Sequence, residues 1–289
     1  GFTSDQVKAM SAAQVGAFTA TQAPSLTTEQ VGAMTDKQIA AINVDTFAAL
    51  TTDVIAGLST ALNDGDKLSQ IQALTVDQIA VMDEAQVQAL TAGEGGQIAS
   101  LSNKQLAAVS KDQLNQMSAE QIGSITASQV VAMTVGGTTG QLNHLSTDLI
   151  ASLSTDATHA LTATQFAGLT DTQVGALTTE QMGVLTNKQI AALTTAQADK
   201  LSGEQLAALT EDGQVEALTG TILASLDGES QLAAMSASQI DRLSAKQIAS
   251  LSGTQLSKLS SDQINGWDDK KIQAIALSAI ADLSTDFVT

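Results

Sequence analysis

The sequence predicts an all-α solenoid of very short helices built from tandem eight-residue capping-box repeats. The first observation is the period, since residues 162–201 divide into TATQFAGL, TDTQVGAL, TTEQMGVL, TNKQIAAL and TTAQADKL. The second is coverage: about thirty-five copies of this unit account for nearly the whole chain, which is the signature of a repeat architecture. The third is that every unit carries the same signal for the start of a helix.

The helix-start signal is a Ser or Thr followed three residues later by Gln. This spacing is a capping box, in which the two side chains satisfy backbone N–H groups that the first turn of a helix leaves unpaired. More than half of the acidic residues fall in the two positions after the Ser or Thr, where they complement the helix dipole. The structural capping residues that we single out are Thr178 with Gln181, Thr186 with Gln189, and Ser244 with Gln247.

Two other arrangements of the repeat agree less well with the apolar positions. In one continuous helix, eight residues advance by 800°, so the apolar residues at positions 5 and 8 spread around the cylinder. In a strand, the same two positions point to opposite faces, and Ala, Gln and Gly replace the expected β-branched residues. Helices of five to seven residues are unstable alone in water, so neighbouring units must hold them in a cooperative stack.

The predicted core consists of the apolar residues at positions 5 and 8 of each unit. The residue before the N-cap and the residue at position 5 are placed to form a hydrophobic staple that links one unit to the next. The staple and core residues that we single out are Leu185, Ile190, Leu193, Ile248 and Leu251.

Composition limits the classes of function. The formal charge of −18 argues against binding to nucleic-acid backbones or anionic membranes, and no apolar run reaches the roughly 18 residues of a membrane span. The absence of Cys excludes disulfides, thiolate metal sites and a cysteine nucleophile. We therefore expect no nucleic-acid partner and no membrane insertion.

The domain organisation is predicted to be a single continuous array over 1–289. The repeat register breaks near 63–66, 92–96 and 135–140, where glycine-rich insertions indicate surface loops, and segmentation at these loops remains an alternative. Pro24 lies inside a unit and is expected to distort that helix, because proline removes a backbone donor.

Residues with catalytic or ligand-binding chemistry are sparse. His144 and His159 have no acidic or cysteine cluster at metal-ligand spacing, and we interpret both as surface or pocket-edge residues. Asp64 and Asp66 are weak calcium candidates in a turn that lacks the twelve-residue calcium-loop pattern. The Ser and Thr residues lie in no nucleophile motif, so we expect no enzyme activity and no cofactor.

The Gln at position 4 has two interpretations. Backbone capping is the favoured one, and a ladder of glutamines on one face that binds a polar polymer is the alternative. The sequence alone leaves both open.

Lines such as TTEQMGVL, TNKQIAAL and SAKQIASL resemble the repetitive Leu-Thr-x-x-Gln-Ile-x-x-Leu tracts of very large secreted bacterial adhesin-like proteins, often labelled haem-utilisation or adhesion proteins. The resemblance spans nearly all of the chain. It implies a bacterial-type secreted, extracellular or cell-surface location and a role as stalk, fibre or matrix component. The haem label finds no matching ligand motif in this sequence.

The leading functional hypothesis is a structural protein of an extracellular fibre, tube or adhesin stalk. Its first unit, TSDQVKAM, is fully regular, so we expect either a longer parent array or head-to-tail stacking of identical chains. The alternative is a surface-exposed binding module that grips a polymer, a partner protein or calcium through its concave face or its glycine-rich loops, with a protein or a polysaccharide as the surface partner. An enzyme is the third and least favoured hypothesis.

Overall fold

The structure is a computed structural model that describes residues 1–62, 66–210 and 213–280. Within these ranges the chain forms 30 α-helices of four to six residues, two 3-10 helices and one π-helix, and no β-strand. Most helices follow an extended N-cap residue, as at Thr186 with φ −73° and ψ 155°, whereas the helix Gln214–Ala217 follows Gly213 with φ 86°. The predicted all-α solenoid of short capped helices is confirmed.

The chain divides into two compact units, Gly1–Ala157 and Thr158–Thr289. The helix Thr155–Ala160 contains the boundary between them. The prediction of one continuous array over 1–289 stays a prediction.

The first unit contains fifteen further α-helices and two 3-10 helices. The α-helices are Ser4–Lys8, Ala12–Gly16, Thr28–Gly32, Asp36–Ala41, Val44–Ala48, Thr52–Ala56, Gln70–Ala73, Val76–Ala80, Glu84–Ala89, Gln97–Ser100, Asn103–Ala108, Lys111–Gln116, Ala119–Gly123, Ala127–Ala132 and Thr147–Ala151. The 3-10 helices are Ala23–Ser25 and Leu142–His144. Ala23–Ser25 contains Pro24 in place of a regular helix, which is the distortion expected from the proline.

The second unit contains fourteen α-helices and the π-helix Gly228–Leu232. The α-helices are Ala163–Ala167, Asp171–Gly175, Thr179–Gly183, Asn187–Ala191, Thr195–Asp199, Gly203–Ala207, Gln214–Ala217, Gly220–Ser225, Ala237–Asp241, Ala245–Ile248, Gly253–Leu256, Ser261–Ile264, Asp269–Ala274 and Leu277–Ile280.

Helices three repeats apart pack against each other within each unit. In the first unit Asn103–Ala108 packs on Ala127–Ala132, and in the second Asp171–Gly175 packs on Thr195–Asp199. A unit therefore winds so that each helix meets its successor one turn later, and sequence-adjacent helices share a turn.

The interior of each unit is filled by the side chains at positions 5 and 8. Ile190 is fully buried, and Leu185 and Leu193 retain 2% and 6% of their exposure. In the first unit, the core around Ile79, Met82 and Val87 leaves a cavity of only about 10 Å³, no more than one water molecule requires. The core is therefore closely packed at this level.

No helix in the described part of the chain has the length and apolar character needed to cross a membrane.

Candidate functional site

The capping box is the smallest functional element of the fold. The backbone N–H of Thr186 donates to Oε1 of Gln189 at 2.7 Å, and the backbone N–H of Gln189 donates to Oγ1 of Thr186 at 3.2 Å. The same reciprocal pair occurs at the other two places that we singled out, Thr178 with Gln181 and Ser244 with Gln247. The amide oxygen Oε1 of each Gln thereby bonds within its own repeat.

The amide nitrogen Nε2 of the same Gln bonds to the preceding turn. Nε2 of Gln189 donates to the carbonyl oxygens of Thr158 at 2.8 Å and Leu161 at 2.9 Å, which lie 31 and 28 residues earlier. Both carbonyls lie at the C-terminal end of the earlier helix Thr155–Ala160, where helical partners become scarce: that of Thr158 also accepts from the N–H of Leu161 at 3.3 Å, and Leu161 lies one residue beyond the helix. A single neutral side chain therefore caps the start of one helix and the end of another.

We call this repeated set of inter-turn bonds the glutamine ladder. Its side chains are buried, with at most 8% of their surface exposed. Its members in the first unit are Gln38, Gln70, Gln78, Gln86, Gln97, Gln105, Gln113, Gln121, Gln129 and Gln141. Its members in the second unit are Gln189, Gln197, Gln205, Gln214, Gln231, Gln239, Gln247, Gln255 and Gln263.

The insertions that break the sequence register leave the ladder intact. Thr91 and Gln97 lie six residues apart, yet the N–H of Thr91 donates to Oε1 of Gln97 at 3.0 Å and the N–H of Gln97 donates to Oγ1 of Thr91 at 2.9 Å. Gly93 and Gly95 in this loop have φ of 87° and 73°, a region that glycine enters without strain. Thr134 and Gln141, seven residues apart, pair in the same way across the loop 135–140.

At two places where Gln is missing from position 4, other donors reach the preceding turn. Thr46 stands at this position, and its hydroxyl donates to the carbonyl of Phe18 at 2.6 Å, joined by Nδ2 of Asn43 at 2.9 Å. Nζ of Lys271 donates to the backbone carbonyl of Asp241 and also lies 2.7 Å from the side-chain oxygen Oδ1 of Asp241. The inter-turn bond therefore persists with different chemistry at these two positions.

The first turn of the first unit is the exception. Gln6, Gln14 and Gln22 are exposed; Oε1 of each accepts from its own N-cap N–H at 2.8 to 3.0 Å. Their Nε2 atoms have no hydrogen-bond partner in the described part of the chain. In these three residues the amide oxygen serves the capping box, and the described residues form no inter-turn bond to their amide nitrogens.

The ladder is neutral, and the ionised groups lie on the outside. Partial burial acts to raise the pKa of Glu216, but Arg242 outweighs it with Nε and Nη2 bonds of 2.9 and 3.1 Å and holds the pKa below its ordinary value of 4.5. The hydroxyl and backbone N–H of Ser230 lower the pKa of Asp227, the N-cap of the π-helix. Both carboxylates therefore serve local structure.

The two histidines each bond to a backbone carbonyl. Nδ1 of His144 lies 2.7 Å from the carbonyl of Gly140, and Nδ1 of His159 lies 2.7 Å from the carbonyl of Val184. A carbonyl accepts only, so Nδ1 carries the proton in both rings. His159 also lines an open surface groove of about 690 Å³, in keeping with a pocket-edge position.

Of the two calcium candidates, Asp64 lies outside the described residues. Oδ2 of Asp66 accepts from the backbone N–H of Asp36 at 3.2 Å, and Oδ2 of Asp36 accepts from that of Lys67 at 3.3 Å. Within the ranges that the structure describes, no group of three or more His, Cys, Asp or Glu residues is placed to hold a metal ion.

The ladder was only half predicted from the sequence. Capping was expected at position 4, and the inter-turn bonds were missed. The sequence did contain a sign of the inter-turn bonds, namely that position 4 carries the amide Gln and not the acid Glu. Glu completes a capping box as well as Gln does, yet in a chain with 30 acidic residues no regular unit has Glu at position 4. Since Glu lacks the N–H₂ donor, this exclusion indicates a second bonding task. Burial also means that the ladder offers no surface to a polymer, the alternative that the sequence left open.

Comparison with known proteins finds a similarity to a described repeat in one part of the chain. A family model described as the ALTTAQ repeat matches residues 159–187, which include the regular lines around Thr178 and Thr186. No curated protein matches the chain. The chain is a tandem-repeat protein of short helices.

Proposed function

We propose that the chain is a structural protein that forms or contributes to an extracellular fibre, tube or adhesin stalk. The observation that carries this proposal is the glutamine ladder, in which successive turns are joined by the same buried bonds. Adding a turn adds more rungs of the same kind, so length increases without any new interaction. Such an element suits a protein whose role is to act as a long and stiff spacer.

The ladder also supports a mechanical role. Where the repeat is uninterrupted, a rung joins residues 28 to 31 apart, as Gln129 does with Ile98 and Leu101. Separating two turns breaks several rungs at once and exposes buried apolar side chains, and each hydrogen bond contributes about 0.5–1.5 kcal/mol net. Forces that pull the turns apart are therefore shared among parallel bonds.

The proposed location is outside the cell or on its surface. The likeness to secreted repeat tracts and the negative charge of −18, which favours solubility, support this part of the proposal. We also propose that the chain is not an enzyme, because the uniform residues of the repeat are used for capping, core packing and the ladder.

Repeat insertion tests the structural proposal directly. A second copy of residues 102–133, four uninterrupted repeats, is inserted after Met133, and small-angle scattering measures the maximum dimension. We expect an increase of about 10 Å, the spacing of packed helices, with more helical signal in circular dichroism. A 32-residue Gly/Ser segment at the same point is the control. Loss of folding, or helical growth without lengthening, would contradict the proposal.

A binding module is the second candidate, favoured by one observation. The loop residues Gly93, Glu94 and Gly95 line an open groove of about 480 Å³ in the first unit, together with Ser154 and Asp156. Two carboxylates at the rim of a groove suit a cationic or hydroxyl-rich ligand. Calcium titration followed by melting temperature tests this candidate, and an unchanged melting temperature at millimolar calcium would remove calcium from consideration.

A further inference from the structure

The open groove beside His159, here called the His159 groove, is formed by three successive turns of the second unit. Its floor is the stretch 183–188, which joins two short helices of one turn. His159 belongs to the preceding turn and Gln214 to the following one. The volume of about 690 Å³ lies in the usual range of sites for small ligands.

Three of the polar side chains that line the His159 groove already have a task in the fold. Thr186 caps the start of its helix. The amide of Asn187 lies so close to Gly213 that an added Cβ there would clash with it. Nε2 of Gln214 donates to the carbonyls of Gly183 at 2.9 Å and Leu185 at 2.8 Å as part of the glutamine ladder. These three groups therefore maintain the groove.

Two further polar groups of the lining are available to a ligand. Nδ1 of His159 donates to the carbonyl of Val184 at 2.7 Å, which fixes the ring and leaves Nε2 without a partner among the described residues. Nζ of Lys188 likewise forms no hydrogen bond or ion pair within the described ranges. Both side chains are exposed. Nε2 of a neutral imidazole accepts a hydrogen bond and an ammonium donates, so the groove presents one acceptor and one cation.

The charge around Lys188 favours an anionic group. None of the described residues that line the groove is acidic, although the chain has 30 Asp and Glu residues and 12 Lys and Arg residues. Elsewhere in the second unit, cations pair with acids, as Arg242 does with Glu216 and Lys258 with Glu229. The net charge of −18 repels highly charged polyanions. A single carboxylate among neutral hydroxyls suits both conditions.

We propose that the His159 groove binds a sugar acid, the acidic unit of a sparsely charged polysaccharide. The carboxylate accepts from Nζ of Lys188, and a hydroxyl of the same sugar donates to Nε2 of His159. The half-buried side chain of Val184 provides apolar surface for the C–H groups of the sugar ring. This inference goes beyond the proposed structural function, because it gives the repeat array a specific ligand.

Proton NMR of the histidine rings tests the proposal, since the chain has only two histidines. Nδ1 of His144 also lies 2.7 Å from a carbonyl, so His144 is an internal control with the same ring contact in the first unit. Titration with galacturonate should shift the ring signals of His159 with a Kd of about 1–10 mM and leave those of His144 in place. The variant His144→Gln assigns the two sets of signals.

Three other probes separate the parts of the ligand. Galactose keeps the hydroxyls and lacks the carboxylate, whereas acetate keeps the carboxylate and lacks the hydroxyls. Each should bind at least about threefold more weakly than galacturonate, because each loses one of the two contacts. Inorganic phosphate tests the class of anion, and phosphate binding as tight as that of galacturonate would overturn the assignment to a sugar acid.

A lysine substitution tests the cation. Lys188→Gln should weaken galacturonate binding about three- to tenfold, as expected for the loss of an exposed charge-assisted bond. Lys104→Gln is the matched control, since Lys104 stands between the same neighbours, Asn and Gln, in the first unit, and it should leave the Kd unchanged. Circular dichroism verifies folding. Equal binding by the Lys188 variant and the unaltered chain, or equal shifts of both histidines, would overturn the inference, and the repeat-insertion result would be unaffected.

Discussion

Replacement of one ladder amide by a carboxylate separates the two tasks of the glutamine. Gln121 and Gln14 both form capping boxes with a Ser, with N-cap N–H to Oε1 distances of 2.9 and 2.8 Å. Gln121 is 3% exposed, and its Nε2 also donates to the carbonyls of Val87 at 2.9 Å and Leu90 at 2.7 Å. Gln14 is exposed. The substitutions Gln121→Glu and Gln14→Glu are therefore identical in chemistry and differ in the inter-turn bonds.

The expected magnitudes follow from those bonds. At Gln121 the change removes two short hydrogen bonds. The carbonyl of Leu90 is left unpaired, at about 1–3 kcal/mol, while that of Val87 still accepts from the N–H of Leu90 at 3.2 Å and loses about 0.5–1.5 kcal/mol, so we expect a loss of about 2–4 kcal/mol in the free energy of unfolding. At Gln14 the carboxylate remains in water and still caps its helix, and the loss should stay within about 0.5 kcal/mol.

Denaturant unfolding at several pH values, followed by circular dichroism, measures both effects. Burial raises the pKa of a carboxyl at position 121 in the folded state, so its ionisation weakens the fold as pH rises above its unfolded value of about 4.3. The loss caused by Gln121→Glu should therefore be largest at neutral pH and shrink near pH 4, where the protonated acid donates one hydrogen bond. Equal losses for the two variants at pH 7 would refute the assignment of an inter-turn role.

Three further outcomes are expected. At Gly16 an added Cβ would lie 2.7 Å from a backbone oxygen, whereas at Gly32 it would meet nothing within 4 Å. Thermal melting should therefore show that Gly16→Ala lowers the free energy of unfolding by about 1–3 kcal/mol. Gly32→Ala should raise it by up to about 1 kcal/mol. Glu216→Gln should cost about 0.5 kcal/mol or less at pH 7 because the pair with Arg242 is partly exposed. Since the pKa of Glu216 is lowered from 4.5, this contribution is present above pH 4.5 and disappears as pH falls through the folded-state pKa, which urea unfolding at pH 3 to 7 would show. Deletion of residues 93–95 restores the regular spacing at a capping pair that is already formed, so the melting temperature should stay equal or rise, and unfolding of the deletion variant would contradict this view.

The local part of the fold could be predicted because its causes lie within eight residues. The reciprocal bonds of Thr186 and Gln189 depend only on their spacing, and the burial of Ile190 and Leu193 follows from their positions after the cap. Short helices cannot survive alone, so stacking followed from general physics. These steps need no knowledge of which repeats meet.

The inter-turn contacts could not be predicted, because they depend on the number of repeats in a turn. Gln38 bonds to carbonyls 31 and 28 residues earlier, a distance set by how successive helices are angled, and neither propensity nor periodicity reports that angle. The loops show the same limit. Gln97 is displaced by an insertion in the sequence, and only the structure reveals that the insertion loops out and returns the amide to the ladder.

A helix of five residues gains little from its own hydrogen bonds, because its first four N–H groups and last four C=O groups have no partner within it. The ladder amide removes part of both deficits: Oε1 accepts from the N-cap N–H, and Nε2 donates to the carbonyls that end an earlier helix. Each helix is thereby stabilised by the turn before it, which makes the array cooperative.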